Sequence, residues 1–289
     1  METTGIQFNV QVYTDNLYHE AERNQYGLYV VLCNEHIALV IANQTQKQVL
    51  QLQLLFPVNF SVFACSYNEL KQSEQLNKML SADFAFVKAV ICNDTSTLVP
   101  ESLLHAADAS AYFKLNQKQY LNSTILEYKL ASMRTAVLFN VKNDLHRYLN
   151  EQIPGIQFVH DSLLFLKALD LQSFPNASNK LHVDVRPEYI AIACINHQIK
   201  FYNTFPFNNE NDIAYFVLAV AKQLELNQEA EVILYGQVPV LTDITNLLAS
   251  YVKSVSFGTK PKGVSCPVSF HQLPAHHYFI EISSLLCES

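Results

Sequence analysis

Several groups of residues in this chain have types that could do chemistry. Cys33 and His36 flank Asn34-Glu35, placing a thiol near an imidazole, the makings of a nucleophile and its base. No third group is at hand to orient the pair. His160-Asp161 could act as an acid–base couple. The Asp, however, stands just ahead of an apolar face of Leu164, Phe165, Ala168 and Leu169, where it reads better as a helix N-cap. Gly258 and Gly263 have Walker-loop spacing, but Val264-Ser265 follows where Lys-Ser is required to reach phosphates. His182 sits in a strand-like run, where a lone histidine is more often a hydrogen-bonded core group than a base.

The six cysteines (Cys33, Cys65, Cys92, Cys194, Cys266 and Cys287) stand far apart without a C-x-x-C pair. They read as buried reduced thiols of a cytoplasmic protein. A zinc site needs close ligand pairs, which His271 and His276-His277 do not supply, so no metal is expected.

Composition narrows the function classes. A chain of 289 residues, 49% hydrophobic and 16% charged, builds a sizeable core. A net charge of −7 with no basic run argues against direct nucleic-acid binding, which depends on clustered Lys and Arg. The longest apolar run, Ile213 to Ala221, is too short to span a bilayer, and no membrane association is expected. Average usage predicts roughly 20 glycines. The chain has 6, a scarcity that matters because phosphate-cradling loops use glycine to bring the backbone close to the anion.

The elements that position these residues follow from the apolar patterning. Strands are expected from Ile6 to Tyr13, through Leu28 to Val40 around a turn at Asn34-Glu35, and from Gln48 to Phe56. A helix from Tyr67 to Leu80, a buried strand from Phe84 to Cys92, and a helix from Glu101 to Phe113 come next. Thr135 to Val141 reads as a strand, Lys142 to Glu151 as a helix, Ile156 to Val159 as a strand, and Asp161 opens another helix. Leu171 to Lys180, around Pro175, is the best linker. Beyond it the spacing predicts a meander from Leu181 to Phe207, a helix from Asn211 to Leu226 and a strand from Glu231 to Gly236. A helix from Leu241 to Val252, a strand at Val255 and a short edge strand from Tyr278 to Ile282 complete the chain.

Shifting the first meander by 153 positions lays Leu28 on Leu181, Val30 on Val183, Glu35 on Glu188 and Ile37 on Ile190. Each meander is followed by a helix, a strand and a helix, which points to a duplicated unit. The expected fold class is α/β, two ribonuclease-H-like units in the manner of the actin-like ATPases, over residues 1–172 and 173–289. The core should include Val30, Leu32, Leu39, Val87, Val90, Val183, Ile190, Ile192, Phe216, Val220, Ile233 and Leu234. Tyr215 and Leu218 should face a second surface. The aromatic passages Phe205 to Phe207 and His276 to Phe279 are candidate docking sites or core filler.

Phe201-Tyr-Asn-Thr-Phe-Pro-Phe207, Asp212-Ile-Ala-Tyr-Phe216, Gln223-Leu-Glu-Leu226 and Val232-Ile-Leu-Tyr-Gly236 carry a likeness that runs along nearly the whole chain, with a weaker echo at Thr97-Leu-Val-Pro100. In these passages the chain resembles a Bacteroidota family, domain of unknown function 3822, for which an actin-like ATPase fold is expected. The resemblance implies phosphate-gripping Asp-x-Gly hairpins at two equivalent places. In the second unit that place reads Asp184-Val-Arg-Pro187, with the acid but without the glycine, and Pro187 lacks an N–H. In the first unit Val31 stands opposite Asp184. The paired glycines of the adenosine-side loop shrink to Gly236. Asp184, Arg186 and Gly236 are therefore the residues of a vestigial nucleotide cleft, and no cofactor is expected beyond weakly held ATP and magnesium. The expected role is a catalytically degenerate, non-enzymatic protein that binds an unidentified protein partner. The alternative is a residual nucleotide binder or slow ATPase or phosphotransferase. The resemblance also implies a link to ribosomal RNA modification or ribosome assembly, since genes of the family tend to lie beside an RNA methyltransferase gene.

Overall fold

The computed structural model describes residues 6–104, 109–117, 120–172, 179–196, 198–238 and 243–287. The expected linker around Pro175 and the expected helix start at Leu241 lie outside them. The elements run β1 (Phe8–Thr14), β2 (Gly27–Leu32), β3 (Ile37–Asn43), β4 (Gln48–Pro57), α1 (Tyr67–Gln72), α2 (Glu74–Leu80), β5 (Phe86–Ile91), β6 (Ser96–Pro100), α3 (Ala109–Asn116), β7 (Ser123–Leu130) and β8 (Thr135–Lys142). They continue with α4 (Asn143–Gln152), β9 (Gln157–His160), α5 (Asp161–Gln172), β10 (Lys180–Val185), β11 (Tyr189–Ile195), β12 (Ile199–Pro206), α6 (Glu210–Gln223), β13 (Glu231–Gly236), α7 (Asp243–Ala249), β14 (Ser254–Phe257) and α8 (Phe279–Ser283).

The chain divides into two compact units. The first comprises residues 1–163 and 263–270, and the second 164–262 and 271–288. The change of unit falls inside α5, ahead of the boundary expected after residue 172. The excursion of 263–270 was not expected. It is explained by backbone pairing within the first unit: Val49 N–H donates to Ser265 O and Ser265 N–H to Lys47 O, both at 2.9 Å. The Phe270 ring also meets Tyr13 edge-on at 5.8 Å.

The first unit holds a six-stranded sheet in the order β1-β4-β3-β2-β5-β9, and the second a five-stranded sheet in the order β12-β11-β10-β13-β14. In each, an antiparallel meander is extended by two parallel strands. The shift of 153 superimposes their pairing. Val30 faces Leu39 as Val183 faces Ile192, and Leu32 faces Ile37 as Val185 faces Ile190. The central strands β2, β3, β10 and β11 are almost wholly buried along their length, as strands covered on both faces must be. That double burial is why they read as continuous apolar runs.

Of the expected core, Val87 and Phe216 are half-buried and the remaining ten positions are buried. The helix expected over Tyr67–Leu80 is two helices. Ser73 ends α1 and its side chain accepts from Leu76 N–H to begin α2, so an internal cap competes with continuation. The expected helix from Glu101 to Phe113 opens instead as a 3-10 turn at Glu101–Leu103 that ends at an extended Leu104, and among the described residues α3 covers Ala109–Asn116. A three-stranded sheet, β6-β8-β7, was only partly foreseen: β8 was expected, β6 and β7 were not. Asn209 caps α6 by accepting from Asn211 and Asp212 N–H, at 2.9 and 3.2 Å.

The expected edge strand at Tyr278–Ile282 is instead α8. Tyr278 adopts a left-handed φ of 53° ahead of it, and Phe279, Ile280 and Ile282 are all buried. A short apolar run carries no period that distinguishes a buried helix from a buried strand. On α6, Tyr215 is 68% exposed, whereas Leu218 packs partly buried against the core of the second unit. The aromatic passages pack mostly inward, with His277 and Tyr278 half-buried. Phe205 stacks on Phe216 at 4.7 Å, Phe201, Phe205 and Phe207 pack against the same core, and His276 and Phe279 are buried.

Candidate functional site

The three residues expected at a nucleotide cleft come together in the second unit. Asp184 sits on β10, one residue before its end, and Arg186 follows the strand. Gly236 ends β13, paired in parallel with Val185. The Arg186 Nε–H donates to Asp184 Oδ2 at 2.8 Å. Its Nη1–H donates to Glu281 Oε1 at 3.1 Å. Asp184, Arg186 and Glu281 are 1%, 3% and 0% exposed. Buried charges survive only when paired and hydrogen-bonded, and Arg186 pairs with both carboxylates.

Glu281 escaped the sequence reading because it lies 95 residues from Arg186 and on an element read as a strand. One signal was present. A carboxylate within Tyr278-Phe-Ile-Glu-Ile-Ser-Ser-Leu-Leu286, a stretch otherwise poor in charge, demands a buried cation, and Arg186 is the basic residue at the matching strand end.

Three backbone donors around this turn are occupied. Arg186 N–H donates to Tyr189 O, closing the hairpin, and Gln237 N–H donates to Val185 O, both at 2.9 Å. Gly236 N–H donates to His276 O at 2.9 Å. Gly236 has φ of 81°, and a Cβ there would stand 2.4 Å from Val185 O and 2.8 Å from Asp184 Oδ1. The glycine is thus required by a left-handed turn and by close approach to β10.

A second buried polar cluster adjoins this one along the sheet. His182 Nδ1 and the Tyr235 hydroxyl are 3.2 Å apart, and that hydroxyl donates to Gln172 at 3.4 Å. Burial, with Lys180 adding to it, pushes the His182 imidazole down to about 3. Burial, with Asp184 adding to it, raises the Tyr235 phenol above its ordinary value. His182 is therefore a neutral core histidine, as its sequence context implied.

The equivalent place in the first unit is built differently. Val31 stands where Asp184 does, and Cys33 N–H donates to His36 O at 2.9 Å as Arg186 N–H does to Tyr189 O. Cys33, Glu35 and His36 converge there. Burial, and then a hydrogen bond with Cys92, pushes the Cys33 thiol well up from its ordinary value. His160 and Asp161 approach at 2.9 Å, but the same Nδ1 also lies 2.8 Å from Ser162 Oγ, while Nε2 meets Asn93 Oδ1 at 3.2 Å. These contacts occupy both ring nitrogens. The six cysteines lie outside disulfides. Among the described residues no helix is long and apolar enough to cross a membrane.

Comparison with solved structures gives the fold its name. The chain is similar to a protein of Bacteroides thetaiotaomicron VPI-5482 described as having an actin-like ATPase fold and unknown function. The TM-score is 0.79 at 23% identity, over 94% of this chain and 100% of that one. It is also similar to a chain of the PilM-PilN type IV pilus biogenesis complex, with a TM-score of 0.54 at 9% identity over 91% and 98% of the two chains. At such identities the likeness carries the fold alone, and that fold is the actin-like ATPase fold. No curated protein matches the chain. A family model described as "Protein of unknown function (DUF3822)" matches residues 15–255, and the chain belongs to that family.

Proposed function

We propose that this protein is a catalytically degenerate member of the actin-like ATPase fold, not an enzyme, which acts in the cytoplasm by holding a protein partner. One observation carries the reading: Asp184, the acid that would organise magnesium, is 1% exposed and ion-paired to Arg186, itself held by Glu281. Phosphoryl transfer is almost entirely positioning and charge stabilisation. Magnesium and ATP do not fit this arrangement, because binding them at Asp184 means breaking a buried ion pair and exposing Glu281. Arg186, the cation that could have held an anion without glycine's help, is committed to two carboxylates. Gly236 gives its N–H to His276 O, Pro187 has none, and Val31 replaces the acid of the first unit.

The matched register of the two sheets supports descent of the units from one duplicated ancestor. The partner class suggested by the resemblance is machinery of ribosomal RNA modification or ribosome assembly. A ligand that prefers the native state raises the melting temperature. Magnesium–ATP in large excess should leave that temperature unchanged, and a rise of several degrees would count against the proposal.

A further inference from the structure

We propose that the hairpin tip of the first unit is a site for a zinc-class divalent cation, held by Cys33, Glu35 and His36. The topology assembles it. Leu32 ends β2 opposite Ile37 on β3 and Ile91 on β5. One residue further on, Cys33 therefore stands beside His36 on one side and Cys92 on the other. The backbone keeps this register: Cys33 N–H donates to His36 O and Cys92 N–H to Leu32 O, both at 2.9 Å. Residues side by side on neighbouring strands project from the same face of a sheet. Two thiols and an imidazole are thereby set on one face at the ends of three adjacent strands.

The side chains converge accordingly. One donor atom from each of Cys33, Glu35 and His36 lies within 4.8 Å of the others. The His36 Nδ1 to Glu35 Oε1 distance is 3.4 Å. A tetrahedral zinc with bonds of about 2.0–2.3 Å holds its ligand atoms about 3.3–3.8 Å apart, so that pair already has the required separation. Cys92 flanks Cys33 on the side away from His36 and stands outside this group, so the fourth position is left to water.

Surroundings favour a held ion. Cys33, His36 and Cys92 are 2%, 0% and 3% exposed, while the half-buried Glu35 gives access from solvent. Val62 N–H donates to Asn34 O at 2.9 Å, and Ser61 Oγ–H donates to the Asn34 side chain, pinning the turn that carries Glu35. Sulfur and imidazole ligands select zinc-class ions over magnesium or calcium, which prefer oxygen. The second unit provides an internal control. The same backbone there carries Arg186, Glu188, Tyr189 and Gln237 at the matching places, so hairpin geometry alone does not create the ligand set.

The test is cobalt(II) titration of the chelator-stripped full chain, followed by displacement with zinc. One equivalent of cobalt should give a thiolate charge-transfer band and the intense visible bands of a tetrahedral ion, both abolished by zinc. Cys33→Ser should abolish the charge-transfer band, because the thiolate ligand is gone, while Cys92→Ser should keep it. Glu35 lies on a half-exposed turn. Glu35→Gln should keep a native circular dichroism spectrum and the band while weakening zinc binding by about tenfold or more. Absence of the thiolate band in the wild type would overturn the site. So would a zinc affinity unchanged in folded Glu35→Gln, or a band unchanged in folded Cys33→Ser.

Discussion

The Nε–H of Arg186 donates to Asp184 Oδ2 at 2.8 Å, with both side chains almost wholly removed from water. Glu281 takes the other end of the same guanidinium. Removing the cation leaves two buried carboxylates without it. Arg186→Ala should therefore destabilise the protein by about 3–5 kcal/mol in chemical denaturation. Glu281→Gln keeps the shape and removes one charge, and should cost less, about 1–3 kcal/mol. Equal and negligible effects would show that the triad contributes nothing to the fold.

Two left-handed glycines separate conformational strain from crowding. Gly236 has φ of 81° and backbone within 2.4 Å of an added Cβ, while Gly155 has φ of 79° and nothing within 4 Å. Gly155→Ala should cost about 1–2 kcal/mol, the penalty of a left-handed residue alone. Gly236→Ala must also displace β10 at the edge of the triad, and should cost clearly more in the same assay.

His182 makes a prediction about acid. Its folded-state value is pushed down to about 3 by burial, against an unfolded value of about 6.5. Between those values the unfolded chain binds a proton that the native state refuses, so stability falls as pH drops through that window and is fully present above it. The limiting slope is about 1.4 kcal/mol per pH unit. Glu231, lowered to about 2 by Lys180 and then Lys253, adds loss of the same sign only below its ordinary range. His146 and His276, both lowered by burial, also add loss of the same sign. Denaturation of His182→Gln should show a shallower decline from pH 6.5 to 4.5 than the wild type. Parallel curves would contradict the buried neutral imidazole.

Much of this architecture was legible because the strands that matter are buried on both faces. β2, β3, β10 and β11 therefore stand out as apolar runs, and the turns between them as polar breaks. Asp184, Arg186 and Gly236 were found from the strand-end positions that the resemblance marked, and they do lie together. Their company was not legible. Glu281 reaches Arg186 across a long stretch of chain, and pairing between distant residues leaves no local pattern. Cys33, Glu35 and His36 converge only once the β2–β3 hairpin closes, which a search for paired cysteines and histidines passes over. β7 was missed because its first four residues, Ser123 to Leu126, are all half-buried and alternation sets in only from Glu127.

The central claim is that a buried ion pair now fills the place of a working phosphate site. Phosphate release from magnesium–ATP, measured on the wild type and on Asp184→Asn with native folding confirmed by circular dichroism, tests it most directly. The account predicts that neither protein exceeds a protein-free control. Turnover in the wild type that is lost in folded Asp184→Asn would contradict it, and would make Asp184 a metal-organising acid.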